Sequence, residues 1–337
     1  MINIGVIGCG YWGPNLIRNF MSSPATQLLW ICDADINKTA RIAKTYPHLK
    51  VSANPDDLFN APDIDAVAIA TPVFSHYQLA RKALEHGKHV LVEKPLASSV
   101  TEGQELIDLA ERKKLVLMCD HTFCYTGAVR KIKEIIQSGE IGNILYYDSI
   151  RINLGLFQHD VNVIWDLAVH DLAIVDYLLE QQPLQVSAHG VAHAGKMENI
   201  AYVALRYPDA MIAHFHVNWL SPVKIRKTLI GGSKKMIEWN DLVPAERIKI
   251  YDKGIELQNE QQNQKNRLMV SYRSGDIHSP YVDAVEALSQ VVDEFASAIE
   301  NKRTPLTDGK AGLRVLRILE ATDRSLKNNG AIISLDQ

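Results

Sequence analysis

At 337 residues the chain is too long for one compact core, so two domains are the default expectation. Hydrophobic residues at 47% and charged residues at 22%, with a formal net charge of −3 and no long basic block, fit a globular protein and argue against nucleic acid or an anionic membrane as partner. No apolar run approaches a membrane span, and the first positive charge after the N-terminus is Arg18, so neither a transmembrane segment nor a secretory leader is expected and a cytoplasmic location is.

The chain opens on Ile2 to Gly13, which reads as a buried strand (Ile2, Ile4, Val6, Ile7) followed at once by Gly8-x-Gly10-x-x-Gly13. Gly8 would make the tight turn, Gly10 would let the backbone approach a pyrophosphate, and Gly13 would let the next helix pack close. That helix, expected from near Tyr11 to before Pro24, would aim its free N–H groups at the phosphates. A second apolar run, Leu28 to Cys32, ends at Asp33, about 20 residues past the glycines, where an acid accepts from ribose hydroxyls and repels a 2′-phosphate. With Asp35 close by and no Arg until Arg41, NAD is favoured over NADP. A helix follows near Ile36 to Tyr46, and another starts at Asp56-Asp57-Leu58.

Asp65 to Ala70 is a strand of nearly continuous apolar character, as expected when helices cover both faces, and it runs into Thr71-Pro72. Ser75 to His86 reads as a helix stopped at Gly87. His89 to Val92 is a strand ending in Glu93-Lys94-Pro95. A helix to about Lys113 could be capped by Ser98, Ser99 or Thr101, the last with Gln104 at capping-box spacing. Leu115 to Cys119 is another strand. Strand–helix alternation over residues 1–122 predicts a doubly wound parallel sheet, whose ligands sit at the carboxyl ends of strands, where Thr71, Pro72, Glu93, Lys94 and His121 fall.

Residues 123–337 read as a second α/β domain. After a helix over Gly127 to Ser138, strands and short turns predict an antiparallel sheet. Its hairpins would be Ala201–Tyr207 with Ala210–Trp219, Thr228–Ile230 with Met236–Trp239, and Arg247–Tyr251 with Ile255–Leu257 about Asp252-Lys253-Gly254. Met211, Ala213, Phe215, Val217 and Trp219 would face one way, and Ile212, His214, His216 and Asn218 the other. Asn259 to Asn266 reads as an amide-rich loop. Helices are expected over Pro280–Ile299 and Gly309–Leu326, and a short strand over Ala331–Leu335. Cys9, Cys32, Cys119 and Cys124 form no C-x-x-C pair and read as reduced core residues. His214-x-His216 has metal-ligand geometry but no evident third ligand, so no metal is expected.

Two clusters carry chemistry. Lys94, on a strand end before a rigid proline, could donate or accept a proton. Asp166 and His170, four apart, would share one face of a largely buried helix. A buried polar stripe needs a partner or a cleft, and spacing alone does not separate a satisfied buried pair from an acid–base pair for a secondary alcohol.

Taken together, Gly8-x-Gly10-Tyr11-Trp12-Gly13, Asp33, Ala70-Thr71-Pro72, His76, Glu93-Lys94-Pro95 and Asp166-x-x-x-His170 resemble the glucose–fructose oxidoreductase / inositol dehydrogenase / MocA family over nearly the whole chain. The resemblance implies an N-terminal Rossmann domain, a C-terminal α/β domain on an open antiparallel sheet that forms the oligomer interface of a homodimer or homotetramer, C-terminal helices returning towards the first domain, and NAD(P)-dependent chemistry on sugars, cyclitols or nucleotide-linked sugars. It implies cofactor contacts from Gly8, Gly10, Tyr11, Trp12, Gly13, Asp33, Thr71, Pro72, His76, Glu93 and Lys94. Catalytic roles fall to Lys94, Asp166 and His170, with His170 as general base. Where many members carry G-H-x-x-R-F-x-P, this chain has Asp120-His121-Thr122-Phe123-Cys124-Tyr125-Thr126-Gly127, with Cys124 in place of the Arg. His121, Tyr125, Arg151 and His170 are the expected substrate contacts. Trp165-Asp166-Leu167-Ala168-x-His170-Asp171, with Arg151 and Asn153-Leu154-Gly155, is similar to members that oxidise C3 of a UDP-2-acetamido sugar. The alternatives are a ketosugar reductase, a free-sugar or inositol dehydrogenase, and an NAD-binding regulator.

Overall fold

The computed structural model describes residues 1–155, 161–258 and 269–335, so the expected loop at Asn259–Asn266 lies outside the described residues. The chain divides into two compact units, Met1–Thr126 with Val285–Glu320, and Gly127–Ala284 with Ala321–Gln337.

In the first unit β1 (Ile2–Ile7), α1 (Gly13–Ser22), β2 (Thr26–Cys32), α2 (Ile36–Thr45), β3 (Lys50–Ser52), α3 (Asp56–Asn60), β4 (Ala66–Ile69), α4 (His76–Glu85), β5 (His89–Glu93), α5 (Val100–Lys113) and β6 (Leu117–Asp120) alternate as the sequence predicts, except that the short edge strand β3 is not among the expected elements. Their strands pair in parallel in the order β3-β2-β1-β4-β5-β6, so the sheet reverses direction of growth between β1 and β4. That switch point is where the carboxyl ends of strands open a crevice. Ala66, Val67, Ala68 and Ile69 are wholly buried because helices cover both faces. Two termini differ from expectation. α1 begins at Gly13 rather than near Tyr11. Of the three candidate caps on α5 it is Ser99 that accepts from Glu102 N, at 3.2 Å, while Glu102 reaches back to Ser98 N at 3.0 Å.

The second unit carries α6 (Gly127–Gln137), β7 (Ile144–Leu154), α7 (Val169–Leu179), β8 (Gln185–Val191), β9 (Ile200–Arg206), β10 (Ile212–Asn218), β11 (Leu220–Gly232), β12 (Met236–Asn240), β13 (Ile248–Gln258) and β14 (Met269–His278). The last helices are α8 (Ala287–Glu300) and α9 (Gly309–Lys327), and β15 (Ile333–Ser334) closes one sheet edge. The sheet order is β14-β13-β12-β11-β7-β10-β9-β8-β15. It is mixed rather than purely antiparallel, because β7 and β10 pair in parallel. A parallel pair needs a long crossover, and α7, β8 and β9 supply it. Met211, Ala213, Phe215, Val217 and Trp219 are buried, and Ile212, His214, His216 and Asn218 lie on the more open face.

Two expected elements are corrected. Asp252-Lys253-Gly254 is not a turn: β13 runs straight through it, with a register irregularity at Asp252, whose carboxylate accepts from Arg273 Nε at 3.0 Å. Residues 280–286 are not helical. The Asp283 carbonyl packs so close to Gly127 that a Cβ there would lie 2.2 Å away, and Glu286 is extended, its carboxylate held by Arg18 at 2.5 and 3.0 Å.

A bidentate ion pair ties β7 to α7. Arg151 Nε and Nη2 each donate to Asp171 at 2.8 Å, and the two residues are 4% and 2% exposed. Removing one partner leaves a buried charge uncompensated, a loss of about 3–5 kcal/mol. Arg151→Ala should therefore lower the urea-unfolding free energy by about that much, and Arg151→Met with Asp171→Leu should recover most of it.

Candidate cofactor and catalytic residues

Sheet and helix meet at the glycine turn through two contacts that only glycine permits. Gly8 has φ +99°, and a Cβ on it would lie 2.5 Å from the Ala70 carbonyl oxygen at the end of β4. A Cβ on Gly13 would lie 2.1 Å from the Gly8 carbonyl oxygen. The middle glycine differs: nothing lies within 4 Å of a Cβ built on Gly10, so the protein's own packing does not require glycine there. Open backbone at the start of a helix is what a pyrophosphate needs. Tyr11 beside it is 90% exposed, and Trp12 is half-buried. Asp33 is already bound into the turn: its carboxylate accepts from Cys9 N and Asp35 N, each at 2.8 Å, and Lys38 Nζ lies 3.7 Å away. Each of its oxygens keeps a lone pair for a further donor. Burial, with Asp33 adding to it, pushes the Cys9 thiol up to about 12, and Cys32 is pushed to about 12 by the same two causes; all four cysteines are free and buried.

Beyond Gly8, the ends of β4 and β5 are joined by one side chain. His76 is wholly buried; its Nε2 lies 2.8 Å from the Thr71 carbonyl oxygen and its Nδ1 2.8 Å from the Pro95 carbonyl oxygen. Carbonyls only accept, so the doubly protonated ring is the form that satisfies both. His76 thus fastens the segment carrying Thr71 and Pro72 to the segment carrying Glu93 and Lys94, rather than presenting its own ring to a ligand. Lys94 is half-buried, precedes a cis peptide to Pro95, and its N–H donates to Glu93 Oε2 at 3.2 Å. Thr71 is half-buried and its hydroxyl oxygen accepts from Ser75 Oγ at 2.7 Å.

Two expected substrate contacts of this unit lie in its interior. Tyr125 is 1% exposed, with its hydroxyl 3.0 Å from Thr307 Oγ1, and His121 is 2% exposed. Tyr125 therefore packs the unit, and Cys124, in the place of the family's Arg, is also buried at 1%. The sequence pattern could not separate these from surface positions, because the stretch 121–125 folds as a short turn that buries His121, Cys124 and Tyr125 while Thr122 and Phe123 stay partly exposed. A cleft of about 620 Å³ opens at the opposite ends of β5 and β6, lined by His89, Leu117, Lys302, Arg303 and Lys310. None of the expected cofactor or catalytic residues lines it.

In the second unit Asp166 lies in a π-helical turn, Ile164–Ala168, that runs into α7, and His170 lies in the first turn of α7. The wider π turn rotates the two side chains relative to the common face that α-helical spacing predicts. Trp219 Nε1 donates to Asp166 Oδ2 at 3.1 Å. Asn162 Oδ1 accepts from Ile164 N at 3.1 Å and Trp165 N at 3.2 Å, and Asp323 accepts from Trp165 Nε1 at 2.9 Å. Burial raises the Asp323 carboxyl above its ordinary range. Trp219, Asn162 and Asp323 thus hold the Asp166 turn, and none of the three carries a sequence signal for it; Trp219 reads simply as core. Arg151, expected at the substrate, is instead committed to Asp171 and shielded from solvent. His214 and His216 flank Tyr202, whose ring stacks on His216 at 4.5 Å, and among the described residues no three His, Cys, Asp or Glu side chains are placed to hold a metal.

Comparison with known proteins identifies the family of both domains. Residues 2–121 match the model of an oxidoreductase family with an NAD-binding Rossmann fold, and residues 129–238 match the C-terminal domain of the same family. The chain is 27% identical over 324 residues, 93% of each protein, to a UDP-N-acetylglucosamine 3-dehydrogenase of Acidithiobacillus ferrooxidans. It is 29% identical over 195 residues, 56% of this chain and 57% of the relative, to a scyllo-inositol 2-dehydrogenase (NAD⁺) of Bacillus subtilis. A solved structure of the A. ferrooxidans enzyme shares the fold with a TM-score of 0.79 at 24% identity, covering 97% of this chain and 98% of that one.

Replacing His76 by Leu should leave the Thr71 and Pro95 carbonyls buried without donors, at about 1–3 kcal/mol each. Thermal unfolding should shift downwards, and NAD affinity measured by calorimetry should fall with it. An unchanged NAD affinity in a folded His76→Leu protein would show that the clamp does not serve the cofactor.

Proposed function

Because the chain belongs to the glucose–fructose oxidoreductase / inositol dehydrogenase / MocA family of NAD-binding oxidoreductases, we propose that it oxidises a secondary alcohol of a nucleotide sugar, at C3 of a UDP-2-acetamido sugar. The observation that carries this reading is coverage: the UDP-N-acetylglucosamine 3-dehydrogenase aligns over 93% of both chains, whereas the inositol dehydrogenase aligns over little more than half.

NAD, when bound, supplies the hydride acceptor. The open backbone at Gly10 and the first turn of α1 receive its pyrophosphate, with Tyr11 and Trp12 beside it. Asp33 takes the adenosine ribose hydroxyls and disfavours a 2′-phosphate. Thr71, Pro72 and Glu93, at the strand ends, would hold the nicotinamide half. His170 removes the hydroxyl proton of the substrate, and Asp166, held by Trp219, positions that base. Lys94, at the end of β5, is the group that would polarise a substrate oxygen. Catalysis in the opposite direction, reduction of a ketosugar, uses the same residues in reverse. A free-sugar or inositol substrate is the second reading, favoured by the similarity to the inositol dehydrogenase. The open face of the second sheet, where Tyr202, Ile212 and Leu229 are 46%, 43% and 36% exposed, serves as the interface of a homodimer or homotetramer. With no helix among the described residues long and apolar enough to cross a membrane, and four free thiols, the protein works in the cytoplasm.

Purified protein with NAD should form NADH on UDP-N-acetylglucosamine or its uronic acid and not on free sugars or inositol. A response only to inositol or a free sugar would move the substrate class, and silence with every substrate in both directions would favour an NAD-binding regulator. His170→Ala should cut turnover at least about a hundredfold with NAD affinity kept. Asp33→Asn should narrow the preference for NAD over NADP, read as the ratio of their kcat/KM values.

A further inference from the structure

Beneath Lys94, at the carboxyl ends of adjacent strands, two acids face each other. Glu93 ends β5 and Asp120 ends β6, and they are partners in the parallel register. Asp120 is 1% exposed. Two of the four carboxyl oxygens are served by donors and two are not. Glu93 Oε2 accepts from Lys94 N at 3.2 Å, and Asp120 Oδ1 accepts from Thr122 Oγ1 at 2.6 Å. Glu93 Oε1 and Asp120 Oδ2 are both buried and neither has a donor from the rest of the protein. The Trp12 indole N–H favours the Asp120 carboxylate without closing a hydrogen bond of good geometry.

Two buried carboxylates with facing, unserved oxygens repel; a single proton between them turns the repulsion into a short charge-assisted hydrogen bond. We propose that Glu93 and Asp120 share one proton, Glu93 Oε1 donating to Asp120 Oδ2, and that this carboxyl dyad is the positioning device that holds the β5 end carrying Lys94 against β6 and places one negative charge beside it. Burial first, then the facing Asp120, pushes Glu93 well above the usual carboxylate range, so Glu93 keeps the proton; burial also raises Asp120, against the Glu93, Thr122 and Trp12 hydrogen bonds and Lys94. The other titratable groups facing the dyad are Lys94, which favours both carboxylates, and the buried Cys119 thiol, itself pushed up by burial and then by both acids.

As pH rises and the shared proton leaves, two negative charges meet in a buried place and the strand ends that present Lys94 are pushed apart. Activity should therefore carry an alkaline limb belonging to the dyad. This kinetic arm rests on the proposed role of Lys94; an infrared arm does not. Infrared difference spectra of the whole protein at neutral pH, wild type minus Asp120→Asn and wild type minus Glu93→Gln, should each show the carbonyl stretch of a buried protonated carboxylic acid that is lost in the variant. Asp120→Asn, whose amide can donate to an ionised Glu93, should move the alkaline limb of kcat/KM to higher pH. Asp120→Gly, which removes the contact, should lower kcat about tenfold with KM for NAD changed less, the scale of one charge-assisted hydrogen bond. Absence of the protonated-acid band in the folded wild type overturns the dyad whatever the enzyme acts on. The band with an unmoved pH profile and unchanged kcat in both Asp120 variants overturns its connection to Lys94. A protein inactive on every sugar but showing the band refutes the proposed function and leaves the shared proton standing.

Discussion

Parallel strands that end side by side leave carbonyls and acids crowded at a dry edge, and the first unit depends on how those groups are satisfied. One imidazole does most of it. With its two nitrogens 2.8 Å from the Thr71 and Pro95 carbonyl oxygens, His76 binds the turn after β4 to the turn after β5. Gly8 brings the first turn against the end of β4 at Ala70, and Asp33 bonds the tip of β2 to Cys9 in the same turn. The glycine turn, the Thr71-Pro72 turn and the Glu93-Lys94-Pro95 turn are therefore one connected structure, in which each backbone group is held by another member. A rigid edge of this kind suits a cofactor that must be held in one orientation while a hydride moves.

Rigidity takes a different form in the second unit. Asp166 is carried by a π turn, a local departure from α geometry that the chain stabilises with Asn162, Trp165 and Asp323 on one side and Trp219 on the other. Behind it the buried Arg151–Asp171 pair fixes α7 to the central strand of the mixed sheet. A charge pair in such a place contributes more to geometric definition than to net stability, since well-packed apolar residues of similar volume could replace it. The two acids flanking His170 in sequence thus differ in their partners: Asp166 sits on the π turn and accepts from Trp219, and Asp171 is consumed by the scaffold.

Much of this was legible in the residues. Hydrophobic periodicity places five of the six parallel strands to within a residue or two, missing only the short edge strand β3, and the open flank of Gly10 leaves the room that a pyrophosphate needs. What the sequence did not disclose is of three kinds. Long-range pairing is one: β13 runs through Asp252-Lys253-Gly254 because Arg273 of the neighbouring strand bonds Asp252, a contact no local turn signal reports. Backbone packing is another, since residues 280–286 stay non-helical where Asp283 meets Gly127. The third is the direction of polar side chains. Arg151 and Tyr125 have the chemistry of ligand contacts, yet their partners Asp171 and Thr307 lie 20 and 182 residues away and claim them for the interior. Conversely Trp219, which reads as core, delivers its indole N–H to Asp166.

The central claim is that this protein moves a hydride from C3 of a UDP-2-acetamido sugar to NAD, with His170 as the base. The most direct measurement uses UDP-N-acetylglucosamine carrying deuterium at C3 and follows the nicotinamide by mass spectrometry. The wild type should form NADH that contains the deuterium, and His170→Ala should nearly abolish it. NADH without the label would place the reacting carbon elsewhere on the sugar, and no reduced cofactor from this substrate or its uronic acid would contradict the account.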